Sequence, residues 1–368
     1  MKIAISGEPL EPAIRKNYDG IGVYTDALYR YLPQLNIKVQ PYIYAGHKVV
    51  PVKSVELPFS YASAVLRDIS GYRPVAHVKA DLFHFTDYHV INTSCPSVAT
   101  VHDAIPLKFP EWVSPRYRTI KNLLLKRMVK KADLFVAVSQ FAVEELHEYY
   151  QLPKDRIRVV HCGIEHDWLD YQPDELYVQA LLNRFQLQKG YFLVVGTLQP
   201  RKNVDRIIAS YMQLPSEIQE LRQLVIVGNV GWRCEQTVDK IHALIAAGKN
   251  IKWVRNLSSR EDLKAVYSAA GALIFPSLYE GFGIPVLEAF ACGVPVLTSN
   301  LSSLPEVAGE AAFLVNPYIV DEITHGMLML SIKEDLQNKY RILGKERVKQ
   351  FTWLSAVKKL QHVYSELV

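Results

Sequence analysis

Two glutamates eight residues apart, Glu280 and Glu288, lie in the segment Phe275–Val296, FPSLYEGFGIPVLEAFACGVPV. The segment reads as a strand, a loop holding Gly281 and Gly283, a helix opened by Pro285, and a second strand after Gly293. Proline at a helix start and glycine just past its end are boundary signals. The first N–H groups of a helix have no partner inside it, and the helix dipole leaves partial positive charge there, so a phosphate can seat on them. Carboxylates repel a phosphate but accept hydrogen bonds from hydroxyls. On this reading Glu280 holds hydroxyls of a sugar and Glu288 those of a ribose. The plainer alternative is a Gly-rich turn with two solvated glutamates, and no third glycine follows at the dinucleotide spacing.

Other candidates stand at the ends of apolar runs. Arg201 and Lys202 follow the strand pattern Tyr191–Val195 and precede a helix near Asn203, a position from which both reach a phosphate unless they are an ordinary basic loop. Gly20 and Gly22 come shortly after the first strand and before a helix near Val23, where glycine allows close backbone approach to a ligand or simply makes a tight turn. His102 and Asp103 end the strand Ser97–Val101, a placement more suggestive of function than a lone core histidine. The four cysteines are far apart and form no C-x-x-C pair, which argues against a zinc ribbon, an iron–sulfur site or a disulfide framework and suits a reducing cytoplasm.

Positioning these residues requires a regular frame. Apolar strand candidates alternate with helical patterns: Lys2–Ser6, Val39–Tyr44, Leu82–Phe85, Ser97–Val101, Leu134–Val138 and Arg158–Val160 in the first half, then Tyr191–Val195, Leu224–Val227, Ile251–Val254, Ala272–Phe275 and Val294–Thr298. Continuous apolar strands followed by helices imply parallel sheets covered on both faces, a doubly wound α/β fold. From about Glu165 to Lys189 the strand rhythm stops, a polar stretch (HDWLDYQPDEL) leads into one helical segment, and the domain junction is placed there. The expected domains are residues 1–170 and 171–350, with 351–368 as a C-terminal helix. Ligands of such folds bind at the carboxyl ends of the strands.

The setting EGFGIPVLEAFACGVPV around Glu280 and Glu288 resembles the signature of the retaining, GT-B glycosyltransferases of family 4, group 1, mannosyltransferase-like. GIGVYT (20–25) resembles the family's N-terminal Gly-rich loop, VHD (101–103) the strand end with its histidine, and VGTLQPRKN (195–203) the phosphate-binding turn of the second domain. SNLSSLPEVAGEAAFLVNP (299–317) and FTW (351–353) resemble its closing segments, so the likeness spans nearly the whole chain. One departure is Thr197, where many members place an arginine; Arg201 is expected to take over part of that role.

The resemblance implies two Rossmann-like domains facing a deep cleft, an acceptor-binding first domain, a nucleotide-sugar-binding second domain, and a last helix that crosses back to the first. It implies catalytic roles for His102, Asp103, Arg201, Lys202 and Glu280. His102 would touch the transferred sugar, and Asp103 would orient it or meet the acceptor. Donor contacts would come from Gly20, Gly22, Arg201, Lys202, Glu280, Gly281, Phe282, Gly283, Ile284 and Glu288. The reaction expected is transfer of a hexose with retention, by front-face attack in which the leaving phosphate helps to deprotonate the acceptor. Charge growing on the diphosphate is expected to be met by fixed cations and helix dipoles. No Asp-x-Asp motif is found, Glu165-His166-Asp167 reads as a linker loop, and neither metal nor cofactor is expected. GDP-mannose is favoured over UDP sugars as donor, with a saccharide or lipid-linked saccharide of surface polysaccharide or lipopolysaccharide as acceptor. A nicotinamide oxidoreductase is disfavoured because the first strand leads into SGEPLEP rather than a G-x-G-x-x-G turn. A non-catalytic sugar-nucleotide-binding subunit remains a further alternative, although such a protein would usually have lost Glu280, Lys202 or His102.

Composition agrees with an ordinary two-domain protein. Of 368 residues 49% are hydrophobic and 21% charged, with a formal net charge of +5. MKIAISGEPL reads as a buried strand rather than a signal peptide, and no apolar run is long enough to span a bilayer. A cytoplasmic protein is expected. Residues 116–131, RYRTIKNLLLKRMVKK, carry seven basic side chains and no acid. They read as an amphipathic helix whose apolar stripe packs on its own sheet and whose basic face suits either anionic lipid at the inner face of the cytoplasmic membrane or a polyanionic acceptor. Nucleic acid is not expected, because no aromatics interleave with the charges.

Overall fold

The computed structural model describes residues 1–10, 20–46, 53–112, 118–255, 257 and 259–368. The chain divides into two compact units, Met1–Gly163 with Trp353–Val368, and Ile164–Thr352.

The first unit holds strands β1 (Lys2–Ser6), β2 (Lys38–Ile43), β3 (Val55–Glu56), β4 (Val75–Ala76), β5 (Leu82–Phe85), β6 (Asn92–Thr93), β7 (Ser97–Val101), β8 (Leu134–Ala137) and β9 (Ile157–Val159). Seven of them form a parallel sheet in the order β3-β2-β1-β5-β7-β8-β9, while β4 and β6 pair separately. Every residue of β5, β7 and β8 is buried, as expected for strands covered on both faces. Burying one Phe or Leu side chain contributes about 1.5–3 kcal/mol, and Phe83, Phe85 and Phe135 are within 1% of complete burial. β5 and β7 run side by side, with Phe85 opposite Ala99, so the loops that leave them, 86–89 and 102–104, are neighbours.

The last helix, Trp353–Ser365, belongs to this unit. Trp353 packs edge-on to Tyr24, centroids 5.8 Å apart, and Tyr364 Oη lies 2.7 Å from His84 Nδ1.

The second unit holds β10 (Phe192–Val195), β11 (Leu224–Val227), β12 (Ile251–Val254), β13 (Ala272–Phe275), β14 (Val296–Ser299) and β15 (Phe313–Val315). Its parallel sheet has the order β12-β11-β10-β13-β14-β15. Helices Val204–Met212 and Val320–Ile332 contribute Ile207, Ile208, Tyr211, Ile323, Met327 and Leu330 to one core cluster with Phe192, Val194 and Ile226.

Several expectations change. Residues 164–170, placed in the first domain from sequence, belong to the second unit, and so do Phe351 and Thr352. The one helical segment expected after the polar stretch is present as Glu175–Phe185, and a second, short helix, His166–Leu169, precedes it where a loop was expected. They are held because Ile164 N–H donates to Phe351 O at 2.8 Å, Glu165 pairs with Arg260, and Asp167 lies 2.9 Å from Lys264 Nζ. Glu165-His166-Asp167 is therefore the opening of a helix rather than a loop. The short strands β3, β4, β6 and β15, two or three residues long, carry too little periodicity to be read from sequence.

The basic segment forms a helix over Arg118–Val129; Pro115, Arg116 and Tyr117 lie outside the described residues. Its apolar residues do not form one inward stripe. Met128 and Val129 are buried, but Ile120 and Leu123 are 59% and 68% exposed. Two of its cations turn inward to the buried Asp68, with Arg127 Nε at 2.6 Å and Lys131 Nζ at 2.5 Å. The carboxylate is held low: burial pushes its pKa up, and the hydrogen bonds and charges of Lys131 and Arg127 overcome it.

Candidate functional site

Strand β10 ends at Val195, and the chain turns at Gly196 into a 3-10 turn, Pro200–Lys202. Asn203 follows in a left-handed conformation (φ 61°) and precedes the helix Val204–Met212. Its Nδ2 donates to Pro276 O at 3.0 Å and to Pro317 O at 2.7 Å. These bonds pin the turn to the segment leaving β13, and Leu278 N–H adds a bond to Arg201 O at 2.8 Å. Lys202 and Arg201 are thereby fixed next to the loop that carries Glu280.

Glu280 is 7% exposed. Its Oε2 lies 2.6 Å from Arg201 Nη1 and its Oε1 2.7 Å from Lys202 Nζ. The Lys202 ammonium also stands 4.5 Å from the centroid of Phe275, a cation–π contact. Burial pushes the Glu280 pKa up, but the charges of Arg201 and Lys202 outweigh it and hold it below the usual range. Burial lowers Lys202 to about 8; Glu280 opposes that shift and Arg201 adds to it. Two cations on one carboxylate leave a net charge of about +1 in a poorly hydrated place, a setting in which an anion is strongly attracted.

The loop beyond Glu280 is held from β14. Glu280 N–H donates to Ser302 Oγ at 3.2 Å, and Ser303 Oγ, fully buried, shares its one proton between Glu280 O at 2.9 Å and Phe282 O at 2.8 Å. Gly283 (φ 116°) caps the helix Ile284–Ala291, with Pro285 in its first turn. Phe282 is buried, 5.8 Å from the Phe351 ring. Glu288, one turn into that helix, accepts from Tyr267 Oη at 2.7 Å. Burial raises it to about 7, with the Tyr267 bond opposing.

The sequence reading and the structure therefore agree on the grouping of Arg201, Lys202, Glu280, Gly281, Phe282, Gly283, Ile284 and Glu288 in one unit, but they differ on contacts. Glu280 was expected to meet sugar hydroxyls; both its oxygens here meet cations. Glu288 was expected to be ready for a ribose; its carboxylate here has a tyrosine partner. Asn203, Ser302 and Ser303 carry the loop geometry, and only the Asn after a basic pair hinted at a left-handed turn.

In the first unit, Gly20 and Gly22 lie inside the first turn of a helix, Gly20–Tyr31, rather than in a loop before Val23. Tyr24 of this helix lies 2.9 Å from Thr100 Oγ1, which in turn lies 2.7 Å from His84 Nε2. Buried His84 is lowered to about 3, by burial first and the neighbouring His102 second. His102 leaves β7 and donates from Nε2 to Thr86 O at 2.9 Å, with its ring edge-on to Tyr24 at 5.0 Å. Asp103 Oδ1 accepts from Ile105 N–H at 2.9 Å, which opens the short helix Ile105–Lys108.

The profile of Glycosyl transferases group 1 matches residues 183–347 and that of Glycosyltransferase Family 4 matches residues 18–168. The O-antigen chain mannosyltransferase B of Escherichia coli is 32% identical over 306 residues, 82% of this chain and 76% of that protein. The chain belongs to the group 1, family 4 glycosyltransferases. The serotype-specific mannosyltransferase WbdA of Escherichia coli is 29% identical over 261 residues, 70% of this chain but only 32% of that longer protein. Among solved structures, sucrose-phosphate synthase from Thermosynechococcus elongatus superposes with a TM-score of 0.75 at 20% identity, covering 100% of this chain and 99% of that one. At that identity the likeness shows the fold, GT-B: two Rossmann-like parallel-sheet domains. The enzyme is a glycosyltransferase, and its donor is a nucleotide sugar and its acceptor a saccharide.

Proposed function

We propose that the enzyme transfers mannose from GDP-mannose, with retention and without a metal, to a saccharide or lipid-linked saccharide during O-antigen or related surface polysaccharide assembly. The observation that carries the sugar is the 32% identity to an O-antigen chain mannosyltransferase across 82% of the chain. The Arg201–Lys202–Glu280 cluster supports the metal-free part. When the bond from the anomeric carbon to the diphosphate oxygen breaks, the electron pair stays on that oxygen. A cation already fixed in a dry site stabilises it without reorganisation. Arg201 and Lys202 are held in advance by Glu280, so they supply that charge, and the N–H groups at the helix start near Gly283 supply a dipole. In this scheme His102 meets the transferred sugar, Asp103 shapes the turn beside it, and the leaving phosphate takes the acceptor proton. Gly20 and Gly22, in the first turn of the helix Gly20–Tyr31, would offer the donor a second helix start.

The test is transfer to an α-mannoside with GDP-mannose, UDP-glucose and UDP-galactose, each in EDTA, with the product's anomeric coupling read by NMR. GDP-mannose is expected to be used at least about 10-fold faster than either UDP sugar, as a base-reading site with one or two unmatched hydrogen bonds requires. The α-product is expected, undiminished by EDTA. Preference for a UDP sugar, a β-product, or loss of activity in EDTA each overturns the corresponding part.

The basic helix supports peripheral attachment to an anionic leaflet. Among the described residues no helix is long and apolar enough to cross a membrane. Exposed Lys121 and Lys130 flank exposed Ile120 and Leu123, and Leu66 and Ile69 are exposed on the helix Tyr61–Ile69, which Asp68 ties to this one through Arg127. Each cation near an anionic surface contributes about 1 kcal/mol. Co-sedimentation with phosphatidylglycerol vesicles is expected to fall about 10-fold or more in the double variant Lys121→Glu, Leu123→Asp. Equal sedimentation of variant and parent removes this attachment from the reading.

A further inference from the structure

A second group of polar side chains sits where β5 ends, one strand from His102. His89 donates from Nδ1 to Asp87 Oδ2 at 2.7 Å, and its backbone N–H donates to Asp87 Oδ1 at 2.8 Å. The carboxylate thus fixes both the ring orientation and the tautomer, leaving Nε2 as the outward nitrogen. Tyr44 Oη donates to His89 O at 2.6 Å and holds the loop itself. Two aromatic rings stand beside the imidazole: Tyr61 edge-on and Tyr88 tilted, each with its centroid 4.8 Å from that of His89. The His89 side chain is 41% exposed, and among the described residues nothing bonds its Nε2.

Two hydroxyls nearby are orphaned. Tyr61 Oη and Tyr150 Oη are buried without a hydrogen-bond partner among the described residues. Tyr150 lies within electrostatic reach of Asp103, Tyr88 and Tyr61, so both orphans belong to the same neighbourhood. A buried hydroxyl without a partner is costly, and its presence calls for an explanation. A flat ring that meets the C–H face of a pyranose and an oriented imidazole are groups by which proteins hold sugars; the two orphaned hydroxyls, closed off from solvent, are not themselves contacts to it.

We propose that Asp87, His89, Tyr61 and Tyr88 form the acceptor-sugar site of the first unit, with His89 Nε2 bound to a hydroxyl of the acceptor. Asp87 acts as a positioning residue: it holds the proton on Nδ1 and so fixes the direction in which Nε2 meets the acceptor. The inference rests on the enzyme being a transferase to a saccharide, and it concerns which residues read that saccharide.

The experiment is steady-state transfer from GDP-mannose to p-nitrophenyl α-mannopyranoside, with GDP release in the absence of acceptor measured alongside. His89→Ala is expected to raise the acceptor KM about 10-fold, the loss of one well-made hydrogen bond, while the donor KM stays put. His89→Gln, which keeps a polar group near Nε2, is expected to recover part of that loss. Asp87→Asn is expected to raise the acceptor KM as well, because an amide cannot accept both from His89 N–H and from Nδ1 as the carboxylate does, and the ring loses its fixed orientation. An acceptor KM in His89→Ala equal to that of the parent enzyme, or a donor KM that rises in step with it, overturns the proposal. Failure of the broader reading would look different: the parent enzyme would release no GDP from GDP-mannose.

Discussion

Lys202→Ala is expected to lower kcat by a factor of about 10²–10³, the loss seen when one preorganised donor is taken from a developing anion. Lys202→Arg is expected to keep much more of the rate, because its charge survives. The pH profile separates this role from a structural one. Burial brings Lys202 to about 8, so in the free enzyme its charge disappears on the alkaline side of neutral. The ratio kcat/KM for the donor reports the free enzyme and is expected to fall above about pH 8. A bound diphosphate favours the ammonium, so kcat should turn down at higher pH than kcat/KM. In Lys202→Arg the alkaline fall should vanish.

Stability moves the opposite way. The folded pKa of about 8 lies below the ordinary lysine value of 10.5. Between these values the unfolded chain binds more protons, so this group makes the fold more stable as pH rises. A loss of activity there without a loss of melting temperature identifies titration rather than unfolding. A parent profile that stays flat well beyond pH 9 removes Lys202 from the proposed role.

Gly228→Ala carries the second large effect. Gly228 follows β11 at φ 151°, and an added Cβ would stand 2.0 Å from Gly196 O and 2.7 Å from Gly196 C. Backbone cannot rotate aside as a side chain can, so the two strand ends must separate. Overpacking costs about 1–3 kcal/mol and a strained backbone a similar amount, giving a loss of about 2–6 kcal/mol. For a unit of this size that lowers the melting temperature by roughly 10 °C. The displacement reaches the site, because Lys202 Cε lies 3.2 Å from the place a Cβ on Gly196 would occupy. Activity should therefore fall further than the folded fraction does. Calorimetry on Gly228→Ala decides it: an unchanged melting temperature shows that the two loops yield without strain.

The frame was readable because buried parallel strands announce themselves. LFVA, LVIV and ALIF are uninterrupted apolar runs, and each became a strand with every residue buried. The site was readable where backbone chemistry leaves a mark, as in the glycines and proline around Glu280. It was not readable where the partner is distant in sequence. Nothing near Glu280 indicates that Arg201 and Lys202, 79 and 78 residues away, will occupy its two oxygens. Likewise a basic helix with leucines gave no sign that Arg127 and Lys131 would turn to Asp68, 59 and 63 residues earlier. The break in strand rhythm after Glu165 does mark the junction, which falls between Gly163 and Ile164, but the polar residues 166–169 form a helix too short to leave a period in the sequence.

The return of Trp353–Ser365 to the first unit has a bearing on synthesis. His84 at the middle of that sheet receives Tyr364 through Nδ1, 280 residues later in the chain. As the polypeptide emerges from the ribosome, the second unit, being continuous, has all its parts before the first one does. Until the last turns arrive, a histidine kept uncharged at the centre of the earlier sheet lacks one of its two partners. The order of birth and the order of completion are thus reversed, and the final helix works as the latch that finishes the half made first.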